Sequence, residues 1–228
     1  MTGEPTHDAW IGELFDADVR AASCPIVPDE SDLLSDERAL VASAVAKRRY
    51  EFAAGRRCAR SLLANLGHPR FALLRNDDRT PRWPAGVVGS ISHSDAVCVV
   101  AIAKDHNAAS LGVDVEPDAT LEAPLWPKIC STRELDAALG SLPEAERGCV
   151  VRLLFSAKEA TYKAAYPLVH KVFGFHAVEI QVDWEARRFT PRLDTALAAL
   201  LPSGHRLSGA FASRDGSVFS AVTIRATG

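Results

Sequence analysis

The order of local patterns constrains this fold most strongly, because a helical pattern followed by strand patterns occurs twice along the chain. The first helical pattern begins at Ser35, whose hydroxyl suits a helix start, and continues until Gly67 and Pro69 end it. Such a helix is long for a globular protein, so a break is predicted at residues 47–50. The strand patterns that follow it are residues 87–92 and 97–103.

The second set of patterns opens with a short strand at residues 111–116, closed by Pro117. Ser131 and Glu134 have the spacing of a capping box, which predicts a helix start, and Pro167 is the predicted stop of a later helix. The helical patterns of this part are residues 131–140 and 149–166. The strand patterns that follow are 178–184, 207–213 and 218–225, the last two flanking the hairpin signal Asp215-Gly216. The whole order indicates an α+β fold.

Composition excludes several classes of protein. Hydrophobic residues make up 47% and charged residues 24%, which is ordinary for a globular domain, and no apolar run is long enough to span a membrane. The first 37 residues contain ten acids and the single base Arg20, unlike a secretion signal, so a cytoplasmic location is expected. The five cysteines are widely spaced and lack a Cys-x-x-Cys pair, so they are predicted to be reduced core residues.

A basic stretch follows the acidic N-terminal part. Residues 47–82 contain ten Lys and Arg against three acids, which favours a ligand that carries phosphate, although a solvated helix face has the same pattern. The helix after the predicted break is expected to start beyond Arg48 and to carry three arginines along the shoulder of its apolar face. These are Arg49, Arg56 and Arg60, and the loop that follows adds Arg75 and Arg79.

Two acidic motifs could hold a metal or move a proton. In Gly-Val-Asp-Val-Glu at 112–116, Asp114 and Glu116 lie on one face of a strand, and paired carboxylates suit Mg²⁺. An exposed polar strand face is the alternative. In Phe-Ser-Ala-Lys-Glu-Ala-Thr-Tyr-Lys at 155–163, Glu159 and Lys163 lie one helical turn apart, where a simple surface ion pair is the alternative.

A third motif, Gly-Ser-Ile-Ser-His-Ser at 89–94, offers Ser92 and His93 at a strand end, where they could hold a phosphate or simply close the strand. Taken together, the motifs indicate one ligand with several phosphates, a metal and a base. A mononucleotide with a pyrophosphate and one further phosphate fits best. Nucleic acid fits less well, because the net charge is −3 and only 7% of residues are aromatic.

The ordered set of motifs resembles the Sfp-type 4′-phosphopantetheinyl transferases, nearer to the enterobactin synthetase component D and actinobacterial branch than to the short holo-acyl-carrier-protein synthases. The matching segments are Phe-Ala-Ala-Gly-Arg-Arg-Cys-Ala-Arg at 52–60, Trp-Pro at 83–84, and the motifs at 89–93, 112–116 and 155–163. Each is weak alone, but the set is specific in its order and spacing. The C-terminal third matches only in general pattern.

The resemblance implies two similar α+β lobes related by a pseudo-twofold axis, residues 1–108 and 109–228, each a small, mainly antiparallel sheet packed on helices, with coenzyme A in the cleft between them. It implies Mg²⁺, or Mn²⁺, bound by Asp114, Glu116 and Glu159. Glu159 is the implied base, and Lys163 is implied to contact the phosphate under attack. The residues implied to hold the 3′-phosphoadenosine end are Arg48, Arg56, Arg75, Ser92 and His93, although relatives often carry lysine at the position of Arg75 and Arg79 could share its role.

The implied reaction transfers the 4′-phosphopantetheine group from coenzyme A to a serine of an apo acyl or peptidyl carrier protein and releases 3′,5′-ADP. The carrier could serve fatty acid, polyketide, nonribosomal peptide or siderophore synthesis. A monomer is expected, since two lobes in one chain replace what shorter relatives obtain by association. No membrane and no nucleic acid partner is expected. The alternatives are an inactive carrier-binding module and another Mg²⁺-dependent nucleotide or phosphoryl transferase, the second without a phosphate-binding Gly-x-x-x-x-Gly-Lys loop.

A carrier must also dock near the base. The segment at 167–175 follows Lys163 closely and combines His170 and Lys171 with apolar residues. Lys171 is predicted to be exposed there and to meet the carrier. In the alternative, the segment's apolar side chains simply enter the core.

Overall fold

The computed structural model describes residues 9–140 and 142–226. The chain divides into two compact units, one up to Ala108 and one from Ala109 onward. Both consist of helices and an antiparallel sheet, so the α+β class is confirmed. The pseudo-twofold relation between the two halves, and the division of ligand binding between them, stay predictions.

The first unit packs a long helix on a three-stranded antiparallel sheet of order β1-β3-β2. Its elements are α1 (Ala9–Gly12), β1 (Arg20–Pro25), α2 (Ser35–Ala39), α3 (Ala46–Ala64), β2 (Val87–His93) and β3 (Val97–Lys104). Residues of α3 at helical spacing, among them Cys58, Leu62 and Leu63, are fully buried against the sheet. The predicted strands of this half and the loop between helix and sheet are therefore confirmed.

The predicted helix break is wrong in position. The helix is interrupted at residues 40–45, and α3 already starts at Ala46, so Arg48 lies within it. The interruption lets Val41 turn inward to pack with Leu33 and Phe52. A continuous helix would carry that buried side chain away from the cluster. Ser35 is the first helical residue and not the cap, which is Leu34.

Strand β1 was not anticipated, because the segment before Ser35 was expected to be an extended lead-in; the first eight residues of that segment lie outside the described residues. Its sequence, Arg-Ala-Ala-Ser-Cys-Pro, is made of small side chains without a clear alternation. The strand forms because β3 offers a partner far along the chain, with Cys24 opposite Cys98. The residues of β1 by themselves therefore give little indication that this segment forms a strand.

The second unit has a five-stranded antiparallel sheet of order β4-β8-β7-β6-β5, and the 26-residue helix α6 packs on it. Its strands are β4 (Ser110–Pro117), β5 (Val178–Asp183), β6 (Arg188–Leu193), β7 (His205–Arg214) and β8 (Ser217–Ala226). Its helices are α4 (Trp126–Ile129), α5 (Thr132–Leu139), α6 (Glu144–Val169) and α7 (Thr195–Ala198), with short 3₁₀ turns at Ala123–Leu125 and Phe175–Ala177.

Helix α6 does not stop at Pro167, as the sequence had suggested, but continues to Val169. Proline in the last turn removes a single helical hydrogen bond, a small loss when α6 is packed along its length against β4 and β8. The helix ends at His170, whose backbone is left-handed with φ of 48° and whose N–H donates to the Tyr166 carbonyl at 2.9 Å.

The strands of the larger sheet are unequally joined. Strands β7 and β8 pair over ten residue pairs through the predicted turn, where Asp215 and Gly216 both have positive φ. Strands β6 and β7 pair only at Arg188 with Ala210 and at Phe189 with Gly209. Beyond these pairs the two strands diverge around an open groove of about 530 Å³.

All five cysteines are free thiols, and the prediction of core positions is confirmed for four of them, while Cys149 is only partly buried. Within the described part of the chain, no helix is both long and apolar enough to cross a membrane.

Candidate active site

The second unit brings β4 unusually close to α6 at Gly112. A Cβ added at Gly112 would overlap the carbonyl oxygen of Ala160 and lie 2.8 Å from the backbone nitrogen of Ala164. Only glycine allows this approach. Since alternate strand residues share a face, Asp114 and Glu116 are directed toward α6 on the same side as Gly112. Val113 and Val115 are buried on the other side of β4.

Asp114 and Lys163 make a direct contact between these two elements. Lys163 Nζ donates to Asp114 Oδ1 at 2.7 Å, and the Asp114 side chain is only 4% exposed. A charge-assisted hydrogen bond of this kind fixes both side chains at the junction of helix and strand. Lys163 is therefore bound to β4. A simple surface ion pair between Glu159 and Lys163, the alternative interpretation of this motif, would not involve β4.

Glu116 is bound by an arginine that the sequence analysis did not assign. Arg152 Nη1 donates to Glu116 Oε2 at 3.0 Å, while Arg152 Nε donates to the Ala119 carbonyl at 3.3 Å. Burial raises the pKa of Glu116, nearby Asp114 raises it further, and Arg152 opposes both. The spacing of Arg152, Glu159 and Lys163 along one helical face was the signal that could have found it.

Glu159 stands one turn before Lys163 on the same face of α6. Burial raises the pKa of its carboxyl group, Lys163 lowers it, and Asp114 raises it. A carboxylate that loses solvent in this way becomes a better proton acceptor, as a general base requires.

The donor chemistry of this cluster suits a hard cation, because Asp114, Glu116 and Glu159 offer only carboxylate oxygens. In the described residues, however, no group of three or more His, Cys, Asp and Glu side chains is arranged to hold a metal ion. Asp114 and Glu116 are instead each bound to a cationic side chain. The chemistry therefore fits a divalent metal, while the present arrangement is held by Lys163 and Arg152.

A recess of about 200 Å³ opens beside Glu159. On the helix it is lined by Lys158, Glu159 and Tyr162, and opposite by residues of the segment that enters β5. Tyr162 packs on Phe173, with 4.8 Å between ring centroids. Val172 is 75% exposed at the opening and Lys171 is exposed next to it. The recess could admit an extended substrate group to the carboxylate.

In the first unit, Arg48 lies in contact with His93. Arg48 Nη1 is 2.8 Å from His93 Nε2 and 3.2 Å from Glu51 Oε2. Ser92 precedes His93 at the end of β2 and is buried. The structure thus brings together Arg48 and His93, which come from two separate sequence motifs, whereas Ser92 faces the other side of β2 because adjacent strand residues alternate.

Arg56 is buried and not on the helix shoulder, which corrects the sequence-based expectation. Its Nε donates to the Leu73 carbonyl at 2.7 Å, and its guanidinium lies 3.8 Å from the centre of the Phe52 ring. Burial is the main cause that lowers the pKa of Arg56 to about 10; Glu37 opposes this shift, while nearby Arg48 and Arg75 contribute to it. These three arginines therefore lie close enough to repel one another, which favours an anion among them.

The other two shoulder arginines are engaged by acids. Arg49 bonds Glu30 at 2.9 Å, and Arg60 bonds Glu37 at 2.5 Å. Glu37 is fully buried and also accepts the backbone N–H groups of Leu34 and Leu73. These pairs hold the first unit together, and their charges are already balanced.

Comparison with known families gives two matches that cover most of the chain. Residues 36–103 match the model of the 4′-phosphopantetheinyl transferase N-terminal domain, and residues 110–209 match that of the 4′-phosphopantetheinyl transferase superfamily. The chain belongs to this superfamily. It is a 4′-phosphopantetheinyl transferase, an enzyme that transfers the phosphopantetheine group of coenzyme A to a carrier protein, and its family uses a divalent metal.

Named relatives support the same family. The chain is 38% identical to 4′-phosphopantetheinyl transferase Svp of Streptomyces mobaraensis over 87% of its own length and 82% of that protein. It is 35% identical to 4′-phosphopantetheinyl transferase PptT of Mycobacterium tuberculosis, over 77% and 75% of the two chains. It is 31% identical to enterobactin synthase component D of Salmonella typhimurium, over 79% and 74%.

Proposed function

We propose that this 4′-phosphopantetheinyl transferase carries out its reaction at the junction of β4 and α6, with Asp114, Glu116 and Glu159 as metal ligands. The contact between Asp114 and Lys163 carries the proposal, because it sets an anionic ligand and a cationic group 2.7 Å apart beside Glu159. Phosphoryl transfer needs both, since charge develops on the transferred group and on the leaving oxygen.

Mg²⁺ is the metal we propose, with Mn²⁺ as the alternative, because three carboxylates form an oxygen-only donor set. When bound, the metal supplies neutralisation of the pyrophosphate charge. Binding would require Asp114 and Glu116 to exchange a basic partner for the cation. Arg152 and Lys163 then remain next to the site as positive charges available to phosphate oxygens.

Glu159 takes the proton of the acceptor serine in this scheme. Its withdrawal from solvent makes the carboxylate more basic, and the neighbouring recess gives a substrate access to it. The serine oxygen attacks the β-phosphate of coenzyme A, and 3′,5′-ADP leaves. Lys163 contacts the phosphate under attack and stabilises its charge.

The first unit supplies the residues for the 3′-phosphoadenosine end. Arg48 and His93 are in contact, and Arg56 and Arg75 place two further positive charges nearby. Ser92 adds a hydroxyl at the end of β2. Metal binding is thus proposed for the second unit and binding of the 3′-phosphate for the first.

An assay by mass tests the proposal. The enzyme is incubated with coenzyme A, Mg²⁺ and either an apo acyl carrier or an apo peptidyl carrier protein. The carrier should gain the mass of one phosphopantetheine group on its serine, and a Ser→Ala carrier should not. A protein that binds both carriers without modifying either would contradict the proposal and support an inactive binding module.

We also propose that the enzyme is cytoplasmic and acts as a monomer; the monomer is supported by the two α+β units within one chain. Sedimentation over a wide concentration range should give the mass of one chain. Activity that rises with the fraction of a dimer would contradict the monomer.

A further inference from the structure

Lys158 precedes the proposed base directly, yet it is a core residue. Its side chain is 1% exposed, and it is among the largest fully buried side chains of the described residues. An isolated ammonium group in such a place would cost several kcal/mol, so it requires partners. Neighbouring helical residues point in directions about 100° apart, so Lys158 and Glu159 border the same recess from different sides.

Every donor of this ammonium group has an acceptor. Lys158 Nζ donates to Glu134 Oε2 at 2.6 Å, to the Ile129 carbonyl at 2.8 Å and to the Phe175 carbonyl at 3.1 Å. Glu134 uses its other oxygen to accept the backbone N–H of Ile180 at 2.8 Å. The capping box predicted for Glu134 is thus half correct, since Ser131 caps α5 while the carboxylate turns into the core.

This buried pair joins helix α6, which carries Lys158, to four other segments of the second unit. Ile129 ends α4, Glu134 lies in the first turn of α5, Phe175 opens the 3₁₀ turn, and Ile180 belongs to β5. Two of the anchored points, Phe175 and Ile180, flank Val178, which lines the recess beside Glu159. The wall opposite α6 is therefore fastened on both sides by one ion pair.

We infer that Lys158 and Glu134 are positioning residues, whose buried ion pair fixes the wall of the recess relative to Glu159. The inference rests on the proposed function, because it assumes that a substrate uses this recess. Lys158 borders the recess, but its ammonium group is fully engaged by Glu134 and two backbone carbonyls, so it acts through the segment at 172–180. A substrate group that enters a fixed recess loses less freedom on binding than one that must order a mobile wall.

The test uses a pair of substitutions that removes both buried charges. Lys158→Met alone would leave Glu134 charged and buried, and that variant is prone to misfolding. Lys158→Met with Glu134→Gln keeps similar side-chain volumes, and the glutamine oxygen still accepts the Ile180 N–H. The matched control is Arg133→Met with Glu179→Gln, an ion pair of 3.3 Å that joins the same α5 and β5 at the surface.

Hydrogen exchange gives a readout that needs no turnover. In the buried double variant, the amides of residues 172–180 should exchange at least about tenfold faster than in the wild type, and in the control they should not change. The KM for coenzyme A or for the carrier should rise about tenfold, with a smaller fall in kcat. Mn²⁺ affinity should stay unchanged, because the carboxylates at β4 and α6 are intact.

Two results would overturn the inference. One is wild-type exchange and KM in the buried double variant. The other is loss of kcat with unchanged KM and exchange, which would make Lys158 a catalytic residue. If the wild-type enzyme transfers no phosphopantetheine, the proposed function fails, while the exchange measurement still decides whether the ion pair fixes this wall.

Discussion

Lys163 donates a hydrogen bond to Asp114 across the junction of α6 and β4, with 2.7 Å between Nζ and Oδ1. The two residues are 49 positions apart in sequence. The close approach of β4 to Ala160 at Gly112 brings them together. The contact between Lys163 and Asp114 therefore depends on Gly112, which has no side chain. The two contact residues and Gly112 can be substituted separately.

Asp114→Ala should abolish transfer while the protein stays folded. The substitution removes a proposed metal ligand, and Lys163 remains 27% exposed, so its charge can be solvated. We expect kcat/KM to fall at least about 100-fold with a small change in Tm. Asp118→Ala, an exposed aspartate just beyond the same strand, serves as the control and should retain activity. Turnover near that of the wild type at ordinary Mg²⁺ would exclude Asp114 as a ligand.

Gly112→Ala should destabilise the second unit strongly. The new methyl group would overlap the Ala160 carbonyl, and backbone atoms cannot move aside as a flexible side chain can. We expect a loss of about 3 kcal/mol or more in the free energy of unfolding, measured by urea denaturation. Gly12→Ala meets no atom within 4 Å and should change stability little. Equal effects of the two substitutions would show that the close approach is not rigid.

Arg48→Ala and His93→Ala should each raise the KM for coenzyme A more than they lower kcat. The two side chains are 2.8 Å apart, so their effects on KM should not add in the double variant. Dephospho-coenzyme A lacks the 3′-phosphate and should bind the wild type and these variants about equally. Additive effects, or an undiminished preference for coenzyme A, would place the 3′-phosphate elsewhere. Arg56→Ala is a poorer probe, because it also removes packing against Phe52.

Lys171→Glu should weaken binding of the carrier and leave coenzyme A binding unchanged. Lys171 is exposed beside Val172 at the recess that contains Glu159, the proposed base for the acceptor serine. If the carrier presents acidic residues there, the apparent affinity should fall most at low salt, where screening is weakest. The apparent KM for the carrier measured over a salt series checks this. A KM unaffected at every salt concentration would move the docking surface elsewhere.

The sequence predicted those elements whose signals are local. Strands β2 and β3 and the β7–β8 hairpin follow from apolar patterns and a turn that needs positive φ. Helix α6 continues beyond Pro167, its predicted end, because its packing against β4 and β8 outweighs one lost hydrogen bond. Strand β1 could not be recognised, since it is stabilised by pairing with the distant strand β3 and its own residues lack a strand pattern.

For the candidate site, too, the features that depend on local sequence could be predicted and those that depend on tertiary packing could not. Asp114 and Glu116 could be assigned to one face from strand alternation alone, and Glu159 and Lys163 from helical spacing. The partners of these residues could not be predicted, because Arg152 meets Glu116 only after β4 packs on α6. Arg56 and Glu134 carry ordinary surface residue types, and their burial depends on the acceptors that distant segments provide.

The short ladder between β6 and β7 makes the larger sheet a composite of two parts with different resistance to opening. Breaking two residue pairs detaches the β5–β6 hairpin from β7. Strands β4, β8 and β7 would stay paired, because their ladders are much longer. The β5–β6 hairpin is then held mainly by the helices beneath it. The proposed metal ligand Asp114 lies on β4, in the part with long registers, and so this strand can stay paired when the β5–β6 edge opens first.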